Sequence, residues 1–330
     1  MRTHAHRSRR RLCLGIAAWI AASPWRLARA AARRVGFISG GTADEAAVFL
    51  ATLRADLARR GLVEPETLVL DLRFANGDLG LVPRFVAELE RGQAALIVTH
   101  GVATTLVVEA PRTVPAVYEF SADPVASGIA ADLAHPLLNA TGLTLMMAEL
   151  NGKRLELLRE ILPGARQVGV LANALHPGQE LERAVIEDKA RQLGLRVSAF
   201  TTRNATELDA ALAALSAAPP DGLLVLSDGF VVAHRREILE TALARRLPVM
   251  SGWAVMAESG ALCTYGPRVA ESYSRVGYFV ERILKGAAPS SLPIEQPTIL
   301  ELVVNLKTAR RIGLQVPAAV LARADRVLEA

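Results

Sequence analysis

The chain has 330 residues, 51% of them hydrophobic, with 38 basic residues, 33 acidic residues and two cysteines, Cys13 and Cys263. That length suffices for two ordinary domains whose cores need no disulfide. The formal net charge of +5 sits at one end: seven Arg and no acid fall within residues 1–30, leaving 31 basic and 33 acidic residues beyond them, so the charge balance is no argument for a nucleic-acid partner.

Residues 1–30 read as an export signal. Arg7, Arg9, Arg10 and Arg11 precede the uncharged run 12–22, and Ala28-Arg29-Ala30 has the small-x-small form of a cleavage site. The run of 11 residues is too short to cross a bilayer, which takes about 20. Cleavage is expected near Ala30, with the mature chain outside the cytoplasm and not spanning the membrane. It then retains Cys263 alone, read as a small apolar residue inside a strand.

From Arg34 short β-branched runs alternate with longer amphipathic ones. Strands are predicted over 35–39, 67–73, 95–99 and 115–120, with helices over 44–60 and 79–91 between them. This βαβα order implies a parallel sheet covered by helices on both faces. The turn-rich 139–142 leads into the apolar run 143–147 and a helix over 148–162, where Leu155, Leu158 and Ile161 share one face and Pro163-Gly164 ends it.

The second half repeats the first. Arg33-Arg34-Val35-Gly36-Phe37-Ile38 matches Arg166-Gln167-Val168-Gly169-Val170-Leu171, and Pro115-Ala116-Val117 matches Pro248-Val249-Met250, both offset by 133 residues. Ala58–Leu62 matches the stretch 190–195, and Ala95-Leu96-Ile97-Val98 matches Gly222-Leu223-Leu224-Val225. Further strands are predicted over 261–265 and 299–304. Between them 286–297, with Pro289, Pro293 and Pro297, reads as a connection.

Ligands of open parallel sheets bind at the carboxyl ends of strands, so candidate residues follow each strand. Ser39-Gly40-Gly41-Thr42-Ala43-Asp44 offers backbone N–H groups and a helix cap. It does not fit G-x-G-x-x-G, and no P-loop occurs. Thr99-His100-Gly101, Tyr118-Glu119-Phe120-Ser121-Ala122-Asp123-Pro124, Ala172-Asn173, Ser227-Asp228-Gly229, Ser251-Gly252-Trp253 and Tyr265-Gly266-Pro267 follow in turn. They suit a wall for a small polar solute, and each is equally a set of turn formers. No G-x-S-x-G elbow and no H-E-x-x-H spacing is present, which argues against an enzyme and against a metal. No cofactor is implied.

Val35-Gly36-Phe37-Ile38-Ser39-Gly40-Gly41, Ala122-Asp123-Pro124-Val125, Gly152-Lys153-Arg154-Leu155-Glu156-Leu157-Leu158, Thr264-Tyr265-Gly266-Pro267, Ile283-Leu284-Lys285-Gly286 and above all the segment 301–313 carry a resemblance. From about Arg33 to Val327 the chain resembles bacterial ABC-transporter substrate-binding proteins with a type 1 periplasmic-binding fold, whose relatives include binders of aromatic amino acids. The resemblance implies an α/β protein of two Rossmann-like lobes with parallel sheets flanked by helices, joined by hinge crossovers, with the ligand cleft between them. The first lobe is expected over 33–147, completed by part of about 261–290. The second is expected over 148–260, completed by part of about 291–330.

Matching positions place Ser39, Thr42, Thr99, His100 and Asp123 on the first wall. Asn173, Asp228 and Trp253 face them, with Tyr265 near a crossover. Thr99-His100-Gly101-Val102 departs from the Ser-Gly-Thr-Pro of many relatives, and Ala122 from their Gly. The implied function is capture of a small polar solute, an amino acid or related molecule, by a monomeric periplasmic protein. It would deliver that solute to an ABC permease and its cytoplasmic ATPase. The alternative is a periplasmic sensor that signals to a receptor. Ser8-Arg9-Arg10-Arg11-Leu12 is similar to a twin-arginine export signal.

Overall fold

The computed structural model of the protein describes residues 32–329. The export signal expected over 1–30 lies outside the described residues. The first half of the chain runs β1 (Arg33–Ser39), α1 (Ala43–Arg59), β2 (Leu68–Phe74), α2 (Val82–Arg91), β3 (Leu96–His100), α3 (Thr104–Glu109), β4 (Ala116–Phe120) and β5 (Ala140–Thr144). The second begins α4 (Met147–Ile161), β6 (Gln167–Asn173), α5 (Gln179–Gln192), β7 (Arg196–Thr202), α6 (Ala205–Ala217) and β8 (Gly222–Val225). It continues α7 (Gly229–Ala233), α8 (Arg235–Ala244), β9 (Val249–Ser251), α9 (Ala254–Ser259) and β10 (Cys263–Pro267). It closes with α10 (Val269–Leu284), β11 (Leu300–Asn305), α11 (Leu306–Ile312), α12 (Ala318–Leu321) and β12 (Arg326–Leu328).

Two sheets form two lobes. The first has the order β2-β1-β3-β4-β5, and every pair in it is parallel. The second has the order β12-β11-β10-β9-β8-β6-β7, parallel except for β10 against β11. The shared order explains the sequence repeat: β7-β6-β8-β9 stand in the second sheet as β2-β1-β3-β4 stand in the first. In both sheets the strand order reverses beside the lobe's first strand, between β1 and β3 and between β6 and β8. Strand ends at such a switch point open a crevice for a ligand.

Local chemistry sets the ends of these elements. Thr42 and Glu45 form a capping box at the start of α1, each side chain bonded to the other's backbone N–H. The helix expected over 79–91 begins instead as a 3-10 turn over Leu79–Leu81, with Pro83 in the first turn of α2. Asn204 and Asp228 cap α6 and α7 through their side chains.

The chain crosses between the lobes after β5, after β10 and before β11. Of the span 261–290, β10 joins the second sheet, while α10 packs on the first lobe. There Tyr273, Val276, Phe279 and Val280 join Phe49, Leu53 and Leu57 of α1 in one buried core. Gly277 permits that approach, since a Cβ at this position would lie 2.2 Å from Oδ2 of Asp56. The elements after residue 299 belong to the second lobe. The lobes also touch directly: Ser121 Oγ bonds His176 Nε2 across the gap, and Trp253 reaches into the first lobe's core.

Candidate functional site

Two adjoining cavities lie between the lobes, of about 540 and 230 Å³. They share Glu45, His100, Gly101, Asp228 and Gly229 as a common partition. Four of the sequence candidates meet there because they end the four strands at the switch points: Ser39 after β1, His100 at β3, Asn173 at β6 and Asp228 past β8. Thr42 joins them on the smaller cavity and Trp253 on the larger.

The first lobe's wall is aromatic. The His100 ring stacks on Phe49 at 4.6 Å with the planes 13° apart, and Tyr273 meets the other side of the cluster edge-on, 4.6 Å from Phe49. Ser39 Oγ accepts the N–H of Gly41 and lies 3.2 Å from His100 Nε2. Burial holds the imidazole down at about 4, so it is neutral at pH 7. Among the described residues no carboxylate bonds its Nδ1, so Ser39 and His100 lack the orienting acid that a nucleophile–base pair requires.

Glu119 was not singled out by sequence. It sits on β4 in register with His100, 3% exposed, and lines the larger cavity. Its Oε1 has no hydrogen-bond partner among the described residues, and burial pushes the carboxyl up to about 8. Phe49 and Tyr273 were likewise unforeseen. The Tyr273 hydroxyl is held well above its ordinary pKa by burial and by Glu119.

The second lobe's wall is polar. Asn173 Oδ1 accepts the N–H of Leu175, and Asp228 Oδ1 accepts that of Val231 at 2.7 Å. Asp228 is 7% exposed and its Oδ2 has no hydrogen-bond partner among the described residues. Burial pushes it up to about 6, opposed by the N–H of Val231 and the Asn173 side chain, with Glu45 adding to the rise. Trp253, also 7% exposed, has an indole N–H without a partner among the described residues.

Behind this wall Arg154 of α4 is completely buried. Its Nε donates to the Tyr265 carbonyl at 2.7 Å and its Nη1 to Asn151 Oδ1 at 2.5 Å. Burial lowers its pKa to about 10 against the opposing pull of Glu182, itself pushed up to about 8 by burial. A Cβ on Gly252 would stand 2.6 Å from Nη2 of Arg154, and one on Gly266 only 2.2 Å from the Gly252 carbonyl. Gly252 therefore leaves room for the guanidinium, and Gly266 leaves room for the adjacent Gly252 backbone.

Three candidates fall outside the two cavities. Thr99 precedes His100 on β3 and points to the opposite, buried face of the sheet. Asp123 spends its carboxylate on its own turn, where Oδ1 accepts the N–H groups of Val125 and Ala126. Tyr265 packs its ring against the second lobe's core and offers only its carbonyl, to Arg154. Among the described residues no group of three or more His, Cys, Asp or Glu is placed to hold a metal ion. No described helix is long and apolar enough to cross a membrane.

Comparison with known proteins agrees with this geometry. A family model described as ABC transporter substrate binding protein matches residues 43–328. A tyrosine-binding protein of Clostridioides difficile (strain R20291) is 20% identical over 260 residues, covering 78% of this chain and 74% of that protein. A conserved domain protein of Vibrio cholerae superposes with a TM-score of 0.81 at 23% identity, over 89% of this chain and 99% of that one. An ABC domain from Streptococcus pneumonia in complex with L-Trp also gives 0.81, at 20% identity, over 90% of this chain and 100% of that one.

Proposed function

Since the chain belongs to the ABC transporter substrate-binding protein family, whose members are binding proteins rather than enzymes, we propose that it captures a small amino-acid-type solute between its lobes. It then delivers that solute to a membrane permease powered by a cytoplasmic ATPase. The observation that carries this reading is the cavity of about 540 Å³ between the lobes, whose wall holds buried polar atoms of Glu119, Asp228 and Trp253 that have no partner among the described residues. Buried polar groups normally find partners, and a bound solute supplies them here. Relatives named for tyrosine and for L-Trp support an amino acid as the solute class.

The working cycle is hinge closure. A solute first contacts one lobe, and closure adds the other wall and expels water. It drives closure only through its higher affinity for the closed form; a shift from 1:99 to 99:1 takes about 5.5 kcal/mol. Charge-assisted hydrogen bonds on Asp228 and Glu119 together with aromatic burial against Phe49, Tyr273 and Trp253 are of that order. Ser39, Thr42, His100 and Asn173 complete the proposed wall. The segment 1–30 directs the chain to the periplasm.

Thermal unfolding of the purified protein against panels of amino acids, organic acids and sugars tests the reading. An amino acid at 100 times its dissociation constant adds about 2.7 kcal/mol of stability and raises the melting temperature. A melt unmoved by every amino acid and raised by a sugar or an organic acid overturns it.

A further inference from the structure

The larger cavity is lined by six carboxylates (Asp44, Glu45, Glu119, Asp228, Glu258, Glu301) and three guanidiniums (Arg235, Arg268, Arg326). The two kinds of charge are not spread alike. Arg268 pairs with Glu271 at 3.0 Å and Glu301 at 3.7 Å, and Arg326 with Glu258 at 2.7 Å. Those two arginines are thus compensated by acids beside them, whereas Arg235 donates to Ser259 Oγ at 3.0 Å and to the Val232 carbonyl at 2.7 Å and has no acid partner among the described residues. Glu119 and Asp228 are not compensated: each is more than nine-tenths buried, and each has a carboxylate oxygen without a partner among the described residues. A buried carboxylate is tolerated only when paired or protonated.

The chemistry of these groups narrows what pairs with them. Glu119 holds its proton in the ligand-free protein near pH 7; once a cationic partner ionises it, its Oε1 accepts as Asp228 Oδ2 does, so that partner must bring N–H or O–H donors. A quaternary ammonium brings none. Phe49, Trp253 and Tyr273 line the same cavity, and aromatic rings there favour a cation over an anion. The indole N–H of Trp253 is the complementary group, a lone donor that takes a single acceptor.

We propose that the cleft selects a solute of net positive charge, a basic amino acid or a primary amine, whose N–H groups bond Glu119 and Asp228 while one acceptor meets the indole of Trp253. The inference rests on the solute-binding reading above and sharpens it: the zwitterions tyrosine and tryptophan are the weaker class of ligand for this chain. Glu119 is the specificity-determining residue, because it adds a second buried carboxyl group to the cavity that Asp228 lines.

Calorimetric titration of the purified protein with lysine, arginine and tyramine against tyrosine, tryptophan and glutamate tests this. The best cation is expected to bind at least about tenfold more tightly than either zwitterion, and glutamate not measurably. Glu119→Gln, which keeps the shape and removes the charge, should weaken cation binding about 10- to 100-fold, the worth of one hydrogen bond to a charged group. It should also narrow the gap to tyrosine. Circular dichroism confirms that the variant is folded. Tyrosine or tryptophan binding as tightly as every cation overturns the inference and leaves the solute-binding reading standing, as does an unchanged cation affinity in folded Glu119→Gln. A folded wild-type protein that binds no amino acid and no amine overturns both.

Discussion

The two lobes share a strand order and build their faces of the cleft from opposite materials. The first packs rings: Phe49, His100 and Tyr273 form an aromatic cluster beside the buried Glu119, whose Oε1 has no hydrogen-bond partner among the described residues. The second presents Asn173 and Asp228 on caps and turns, braced from behind by the buried guanidinium of Arg154. Duplicated topology therefore constrains where the strand ends lie and leaves open what they carry. A solute held between unlike walls meets an apolar surface on one side and fixed dipoles on the other, which orients it as closure proceeds.

If the second lobe depends on its polar brace, removing that brace should produce the largest change. Arg154→Met is expected to lower the unfolding free energy by about 3–5 kcal/mol, because it strands the Tyr265 carbonyl and Glu182 without their cation; urea denaturation reads this. A loss below about 1 kcal/mol would make the two lobes alike in depending on apolar packing.

The pH dependence of stability separates the lobes next. In the first, Glu119 is held up to about 8; in the second, Glu182 up to about 8 and Asp228 up to about 6. The unfolded chain ionises these carboxyls at ordinary values, so between pH 6.5 and 8 it binds fewer protons than the folded chain. Stability of the ligand-free protein therefore falls as pH rises through that window. His100 and His176, both held down at about 4, act in the other direction. Their contribution is complete above about 6.5 and is lost as pH falls towards 4. Glu119 stands in register with His100 on β3 and acts on Tyr273 of α10, and Glu45 on α1 and Asp228 of the other lobe line the same cavity. Glu119→Gln should flatten the decline above pH 6.5 without abolishing it, since Glu182 remains. An identical slope in urea titrations of the variant and the wild type would remove Glu119 from this balance.

The smallest effect is expected at the contact that joins the lobes. Ser121→Ala removes the hydroxyl that bonds His176 and should cost about 1 kcal/mol, read as a several-fold weaker solute affinity in calorimetry. Unchanged affinity would mean that closure does not draw on this bond.

Much of this arrangement was legible in the sequence. Ser39, His100, Asn173 and Asp228 were found because β-branched runs locate strand ends, and strand ends at a switch point locate a crevice. Glu119 was within reach, as a charge inside the apolar strand run Ala116–Phe120, though its single carboxylate reads equally well as an edge residue until β5 covers it. Phe49 and Tyr273 were not legible: their meeting depends on α10 returning to the first lobe after β10 has joined the second. Asp123 and Tyr265 misled for a common reason. Asp123 follows β4 and Tyr265 lies within β10, and each is engaged locally, Asp123 by its own turn and Tyr265 by the second lobe's core. β12 escaped notice because three residues flanked by charge give no periodicity to read.

The buried guanidinium of Arg154 also bears on how this lobe can change over descent. A Cβ on Gly252, more than ninety residues away along the chain, would stand 2.6 Å from the guanidinium, while one on Gly266 would stand 2.2 Å from the Gly252 carbonyl whether or not the arginine is there. A side chain at 252 therefore needs the arginine gone first, whereas one at 266 is barred by the neighbouring backbone in either case.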